Sequence, residues 1–360
     1  MNTFKILQRL TETPGPSGFE DEIAQTIQAI WEPYADEISI DRVGNLVAVK
    51  HGNGSKPRRR LLIAAHMDEI GLMVHRIVGH QGNGFLRLTP IGGVDVRHLY
   101  GQLVTVHGKR HLTGVIGSLP DAMLPEERRK KPFGYEELLV DVGLPLKQVE
   151  KLVSVGDPIS FRQPLRKLLG KRVSGKALDN RASVTAVTAA LEYLQNRTHS
   201  WDVVAVATSQ EETRLLGAFT SAYSQMPDAA VAIDVTFGKG PGANDVNTFE
   251  LGSGPSLDLG PNVHTGMYNA LKEAADALEM KVTTGTHTRG SGTDAFGLQV
   301  ARQGIPTGLV SIPLRYMHTM VESVDMADVE RSGRLLGELA ARLDDTFLDK
   351  LAAEMMGEKS

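Results

Sequence analysis

Three apolar runs in this chain each lead into side chains that can bind a cation, and this limits the fold more than any other feature. Leu61-Leu62-Ile63-Ala64-Ala65 leads into His66-Met67-Asp68-Glu69, Val203 to Ala207 leads to Gln210-Glu211-Glu212, and Ala229 to Ile233 leads to Asp234. Continuous apolar runs of this length, rich in Val and Ile and bounded by polar residues, read as strands buried on both faces of a sheet. In open α/β sheets the crevice beyond the carboxyl ends of the strands is where ligands bind. All three clusters are therefore expected to open into one crevice. Asp179 and His318 follow apolar runs in the same manner and complete a set of five candidate ligands: His66, Asp179, Glu212, Asp234 and His318.

The ligand types constrain the metal. Imidazole plus carboxylate without thiolate suits zinc, cobalt or manganese, and the absence of cysteine excludes a thiolate site. Two ions roughly 3.5 to 4 Å apart need a bridging carboxylate and further terminal ligands, a number that five side chains can supply. Asp68, two residues beyond His66, is suited to hold the second imidazole nitrogen and fix the tautomer. Each residue taken alone also has an ordinary structural role open to it. Glu211-Glu212 suits the start of a solvated helix, Asp234 suits a loop cap, and Asp179-Asn180-Arg181 suits the cap of a helix suggested by Ala182 to Leu194. For all five to be structural requires five coincidences.

Several motifs together carry a family resemblance. His66-Met67-Asp68-Glu69-Ile70-Gly71, Ala177-Leu178-Asp179-Asn180-Arg181, Gln210-Glu211-Glu212, Ile233-Asp234, Gly292-Thr293-Asp294-Ala295 and Arg315-Tyr316-Met317-His318-Thr319 occur in this order along essentially the whole chain. The sequence resembles the cobalt- or zinc-dependent aminopeptidases of the glutamyl and tetrahedral type, some of which carry an endoglucanase-like label. The resemblance implies a three-layer α/β/α metallopeptidase domain with an inserted small all-β, barrel-like domain. It implies two divalent ions per subunit, with Asp179 bridging them. His66 and Asp234 would complete one site, Glu212 and His318 the other. Glu211 would be the catalytic base and Asp68 the partner of His66. Peptides are the implied substrates, and the implied assembly is a homo-oligomer of dimers that build a dodecamer.

The texture of the chain locates the insertion. Ser17 and Glu20 form a capping-box pattern before a helix running to about Trp31, and strands are expected through Ile38-Ser39-Ile40 and Leu46 to Val49. From Gly71 to about Arg166, short runs such as Leu72 to Val78, Phe85 to Leu88, Leu103 to Val106 and Leu112 to Ile116 alternate with glycine-rich turns, as in a small barrel or sandwich. After Gly175 the α/β texture returns, with helices expected near Ser183 to Leu194, Tyr268 to Leu278 and Val329 to Leu348. The expected division is residues 1–70 and 167–360 for the catalytic domain and 71–166 for the inserted module, which the resemblance makes the oligomerisation module. An insertion between His66 and Asp179 must leave and re-enter the catalytic domain at nearby points for the two residues to share a metal.

Composition narrows the function. Net charge is −4 with a pI near 6.3, which gives no broad attraction for nucleic acid or an anionic membrane. The first ten residues lack the apolar core of a signal peptide, no stretch approaches 18 apolar residues, and the absence of cysteine fits a reducing compartment, so a cytoplasmic location is expected. Lys56-Pro57-Arg58-Arg59-Arg60 reads as a solvated turn before a strand. His98, His107, His264 and His287 have no carboxylate at ligand spacing and read as surface or core residues, although His287 precedes Gly290-Ser291-Gly292-Thr293-Asp294 and could reach the cleft. No phosphate-cradling glycine loop or Gly-x-Ser-x-Gly elbow is present. The leading expectation is a metal-dependent aminopeptidase. The alternatives are a metal-dependent deacylase or other amide hydrolase, a glycosidase using Glu211 and Asp234, and a non-catalytic assembly protein. Preference for the substrate's first residue is expected to depend on loops 236–247 and 287–294.

Overall fold

The computed structural model describes residues 1–129, 131, 134–244 and 246–355. The strands are β1 (Glu37–Ile40), β2 (Leu46–Lys50), β3 (Arg60–His66), β4 (Gly71–His80), β5 (Asn83–Ile91), β6 (Leu103–His107), β7 (His111–Gly117), β8 (Leu139–Pro145) and β9 (Pro158–Phe161) in the first half. They continue as β10 (Arg166–Lys167), β11 (Arg172–Gly175), β12 (Asp202–Thr208), β13 (Ala229–Phe237), β14 (Ser256–Leu259), β15 (Thr283–Thr286), β16 (Thr307–Arg315) and β17 (Glu322–Asp325). The α-helices are α1 (Thr3–Glu12), α2 (Asp21–Trp31), α3 (Leu146–Leu152), α4 (Leu178–Leu194), α5 (Glu211–Arg214), α6 (Leu216–Gln225), α7 (Thr265–Ala277), α8 (Asp294–Gln299), α9 (Met326–Arg342) and α10 (Phe347–Met355).

The apolar runs form the centre of an 11-stranded sheet ordered β1-β2-β12-β3-β13-β16-β17-β11-β10, with β14 paired to β16 and β15 paired to β14. Strands β12, β3, β13 and β16 are parallel, so their carboxyl ends open on the same edge. Side chains along a strand alternate between faces, and each face has its own cover. Leu61, Ile63 and Ala65 pack with Leu10, Ile27, Val187 and Leu336 on one side. Leu62 and Ala64 pack with Ala218, Ala222 and Leu298 on the other. The result is three layers, with α1, α2, α4, α7 and α9 covering one face and α6 and α8 the other. Trp31 is fully buried and its indole N–H donates to Thr188 Oγ1 at 2.8 Å, which fixes α2 on α4. Truncating such a residue to alanine costs about 3–5 kcal/mol.

After β3 the chain leaves the sheet and closes a six-strand barrel, β4-β5-β8-β7-β6-β9. Alternation again explains it: β7 buries every second residue, and Leu72, Val74, Leu86, Val104, Ile116 and Val140 fill the interior. The chain returns to the main sheet through β10 and β11.

Two local expectations are corrected, and one alternative role open to Asp179 is set aside. The Ser17/Glu20 capping box does not form, because Ser17 N bonds to the Glu69 carbonyl at 3.1 Å and Glu20 Oε1 accepts from Gly18 N and Gln210 N at 2.7 and 3.0 Å. Glu20 is instead a tether between the N-terminal segment and the loop after β12. The helix expected over Val329 to Leu348 ends at Arg342, and a separate helix, α10, begins at Phe347. Leu343 is extended, and Asp344 Oδ1 accepts from the Thr346 amide and hydroxyl at 2.9 and 2.7 Å, a local bond set that competes with helix continuation. Asp179 and Asn180 do not cap α4 in the usual way. Their backbone is non-helical, which frees the Asp179 side chain to turn into the crevice.

Candidate metal centre and substrate cleft

Six of the residues singled out in the sequence converge at the carboxyl edge of the parallel strands. His66 ends β3, Glu211 and Glu212 open α5 just after β12, Asp234 lies in β13, Asp179 precedes the regular part of α4, and His318 follows β16. Asp179 stands between the two imidazoles: its Oδ1 is 3.1 Å from His66 Nε2 and its Oδ2 is 3.4 Å from His318 Nε2. Glu212 Oε2 is 3.4 Å from His318 Nε2, while Asp234 Oδ1 and Glu211 Oε2 each lie 3.8 Å from His66 Nε2. His66, Glu211 and Asp234 form one group of ligand atoms within 4.8 Å of one another, and His66, Asp179 and Glu212 form a second.

Asp68 is fully buried and does more than face His66. Its Oδ1 is 3.4 Å from His66 Nδ1, and its two oxygens accept from the amides of Glu211 and Glu212 at 3.1 Å each. One carboxylate therefore orients the imidazole and pins the turn that carries both glutamates. The turn is bounded by Gln210 and Leu215, both left-handed with φ of 53° and 58°. His318 is also left-handed, at φ 60°. Non-glycine residues held in this region cost of order 1–3 kcal/mol and cluster at ligand-binding positions.

The electrostatics follow from burying like charges together. Burial, reinforced by Asp179, raises Glu212 well above the usual carboxylate range. Burial and the neighbouring Asp234, Asp294 and Asp68 push Glu211 up to about 10, against the pull of His66. Burial and Asp179 likewise push Asp234 up to about 8. Burial alone would lower His66, yet Glu211, Asp179, Asp68 and Asp234 together hold it well above the ordinary histidine value. Burial would raise Asp179, but hydrogen bonds with His318 and His66 keep it below the usual range. Such a concentration of acid needs protons or cations to offset it. The donor set of imidazole and carboxylate oxygen suits a divalent transition metal.

Two buried acids complete the surroundings and were not singled out as site residues from sequence. Glu322 Oε2 accepts from Asp179 N at 3.0 Å and its Oε1 from His318 N at 2.9 Å, tying the two ligand-bearing segments together. Asp294 accepts from Thr208 Oγ1, and burial with nearby Asp68 raises it to about 6. Glu322 follows His318 by four positions, but no spacing rule marks it. Asp294 lies within a quoted motif, which was the available signal. His287 corrects an expectation: a carboxylate does serve it, since Asp258 Oδ2 lies 3.6 Å from its Nε2. The two are far apart in sequence and meet only because β14 and β15 pair.

A cleft of about 550 Å³ opens over the cluster. Thr236, Phe237 and Asn247 from one expected specificity loop line it, as do His287, Ser291, Gly292 and Thr293 from the other. Asp245 in the first of these loops lies outside the described residues. The inserted barrel reaches the site as well. A Cβ on Gly93, in the turn after β5, would lie 2.5 Å from His318 Nδ1.

The comparisons with known proteins place this mixed α/β sheet with its inserted barrel among the peptidases, a class of hydrolases. Residues 44–335 match the family described as M42 glutamyl aminopeptidase. The chain belongs to that family. A lysyl aminopeptidase of Pyrococcus furiosus is 34% identical over 350 residues, covering 95% of this chain and 98% of the relative. A TET aminopeptidase from the marine sediment archaeon Thaumarchaeota archaeon SCGC AB-539-E09 superposes with a TM-score of 0.90 at 30% identity, covering 97% of this chain and 98% of that one. A TET1 peptidase of Pyrococcus horikoshii, which can assemble into a tetrahedron or a large octahedral shell, gives 0.82 at 32% identity, covering 95% and 100%. Among the described residues, no helix is long and apolar enough to cross a membrane.

Proposed function

We propose that the protein is a dinuclear metal-dependent aminopeptidase that hydrolyses the first peptide bond of peptides, with Glu211 as general base. The observation that carries this reading is Asp179, whose two oxygens face two different histidines at 3.1 and 3.4 Å, the disposition a bridging ligand needs. His66 and Asp234 would hold one ion and Glu212 and His318 the other, with zinc or cobalt suited to the set and manganese accommodated. When bound, a pair of divalent cations supplies Lewis-acid polarisation of the scissile carbonyl and makes water acidic enough to be deprotonated near neutral pH. Glu211 is poised to take the proton from water at one oxygen of its carboxylate and to deliver it to the leaving amine. It lies beside His66 and Asp234 and, with five other side chains available as ligands, is free to act as a base. Asp68 keeps Glu211 and Glu212 in register through their amides and holds His66 through Nδ1. A glycosidase built on two carboxylates would leave both histidines without a role.

We further propose that residues 71–166 form the assembly module and that the protein works as a homo-oligomer of dimers, up to a dodecamer. The TET assemblies of relatives support this. Size-exclusion chromatography is expected to give a species far above the 39.0 kDa of one chain. For the chemistry, chelation should abolish cleavage of aminoacyl anilides and zinc or cobalt should restore it. Glu211→Gln should abolish turnover with metal content intact. A metal-free protein of undiminished activity, or a Glu211→Gln variant near the parent rate, would refute the reading.

A further inference from the structure

The barrel carries two histidines that the proposed reaction leaves unused. His107 and His111 close the β6-β7 hairpin as register partners, and His107 Nδ1 lies 3.2 Å from His111 Nε2. The rings meet edge-on, with 4.6 Å between centroids and 80° between planes. Their turn is held in place. The Lys109 amide donates to the Leu152 carbonyl at 2.8 Å, and a Cβ on Gly108 would come 2.3 Å from that same oxygen. The pair borders a pocket of about 520 Å³ at the seam between the barrel and the N-terminal helices, which Glu12, Glu22, Ser160 and Lys176 also line. Lys176 is paired with Glu69 at 2.6 Å, so its charge is already balanced.

Two imidazoles this close can share a proton or a cation. Two nitrogens bound to one tetrahedral ion, each at about 2.0–2.1 Å, stand about 3.3 Å apart, and the pair is already within about 0.2 Å of that spacing. His107 Nε2 is 2.7 Å from the hydroxyl of Ser160, a buried residue of β9, the strand beside β6. A ligand histidine donates its other N–H to such a partner, and that bond decides which nitrogen is left for the metal. With Nε2–H donating to Ser160 Oγ, Nδ1 keeps its lone pair beside His111. Burial, with His111 adding to it, lowers His107 to about 4, so the ring is neutral at neutral pH. His111 is exposed, so its proton can sit on Nδ1 in contact with solvent and leave Nε2 free. Lys109 and Arg110 in the turn are also exposed, where solvent and salt weaken their repulsion of a cation. Imidazole ligands suit zinc, nickel and copper(II) rather than magnesium or calcium.

We propose that His107 and His111 form a further metal site on the barrel, separate from the candidate dinuclear centre, which holds one divalent transition cation between His107 Nδ1 and His111 Nε2 with water filling the remaining positions. The site does not depend on the aminopeptidase reading. The test uses the full chain, stripped of metal and dialysed against a buffered zinc series, and compares it with His107→Ala, His111→Ala and Ser160→Ala by metal analysis and by calorimetry of zinc binding. The parent should bind one more zinc per chain than His107→Ala or His111→Ala, and the other binding steps should be the same in all three. Ser160→Ala should reach the parent's zinc content at saturation but weaken that one step by about 10- to 100-fold, the loss expected when a ligand histidine loses its partner. His111 is exposed, so His111→Ala decides the matter if His107→Ala does not fold. An ion lost with His111→Ala from a protein that cleaved no anilide would still support the site. Equal zinc content and affinity in the parent and His111→Ala would overturn it and leave the pair as an imidazole hydrogen bond.

Discussion

Gly93→Ala tests whether the inserted barrel helps to hold a metal ligand. The added Cβ would sit 2.5 Å from His318 Nδ1 and 2.9 Å from its Cε1. Carbon contacts settle near 3.5 Å, so the ring or the turn must retreat by about 1 Å. The ring has little freedom to do so. Its backbone is left-handed, its amide is bound to Glu322, and hydrogen bonding of the ring to Asp179, with a smaller contribution from the Gly93 backbone, raises its pKa. Gly93 itself is not among the positive-φ glycines, so alanine introduces a clash and no backbone penalty. The turn absorbs part of the overlap at a cost of about 1–3 kcal/mol, the usual range for overpacking. Loss of a partner that orients a ligand histidine typically weakens metal binding by about 10- to 100-fold. Metal content after dialysis against a buffered zinc series, kcat/KM and thermal melting would be measured together. Gly117→Ala serves as the control, because its Cβ would meet nothing within 4 Å. Unchanged zinc affinity in Gly93→Ala, with Gly117→Ala also silent, would refute the proposed support.

Other outcomes follow from the same structure. Asp68→Ala leaves the Glu211 and Glu212 amides without their acceptor, so a loss of about 2–5 kcal/mol in urea unfolding is expected, together with a fall in kcat larger than any rise in KM; an unchanged unfolding midpoint would count against the clamp. Burial, with Asp68 adding to it, raises Glu20 from 4.5 to about 7. The folded state then keeps a proton that the unfolded chain releases, so this contribution is complete below about pH 4.5 and is lost as pH rises through about 7. The difference is of order 3 kcal/mol at most. Glu20→Gln should remove that slope from the stability profile between pH 5 and 8, and parallel profiles for parent and variant would contradict the assignment.

The main sheet is legible in the sequence because its central strands are buried on both faces and read as unbroken apolar runs. The ligand residues are legible because each stands where such a run stops. The barrel is legible through alternation, as in β7, and through glycine-marked turns. Contacts between distant segments are hidden. Asp258 meets His287 through strand pairing, and Glu322 joins Asp179 to His318 through backbone amides that no side-chain pattern announces. Ser17 and Glu20 have the spacing of a capping box, yet tertiary partners at Glu69 and Gln210 outcompete the local bond. Leu343 and Phe347 continue the apolar period of α9, but Asp344 between them bonds the Thr346 amide and hydroxyl and turns the chain.

The order in which the chain emerges during synthesis gives the strand arrangement a further meaning. β3 is flanked by β12 and β13, and both are made only after the whole barrel. The barrel has all six of its strands between β3 and β10, so it can close while β3 still exposes both edges. Until β12 has left the ribosome the Leu61 to Ala65 segment is an unpaired apolar strand, and one of its edges stays open until β13 follows, the kind of surface that nascent chains must shield from one another.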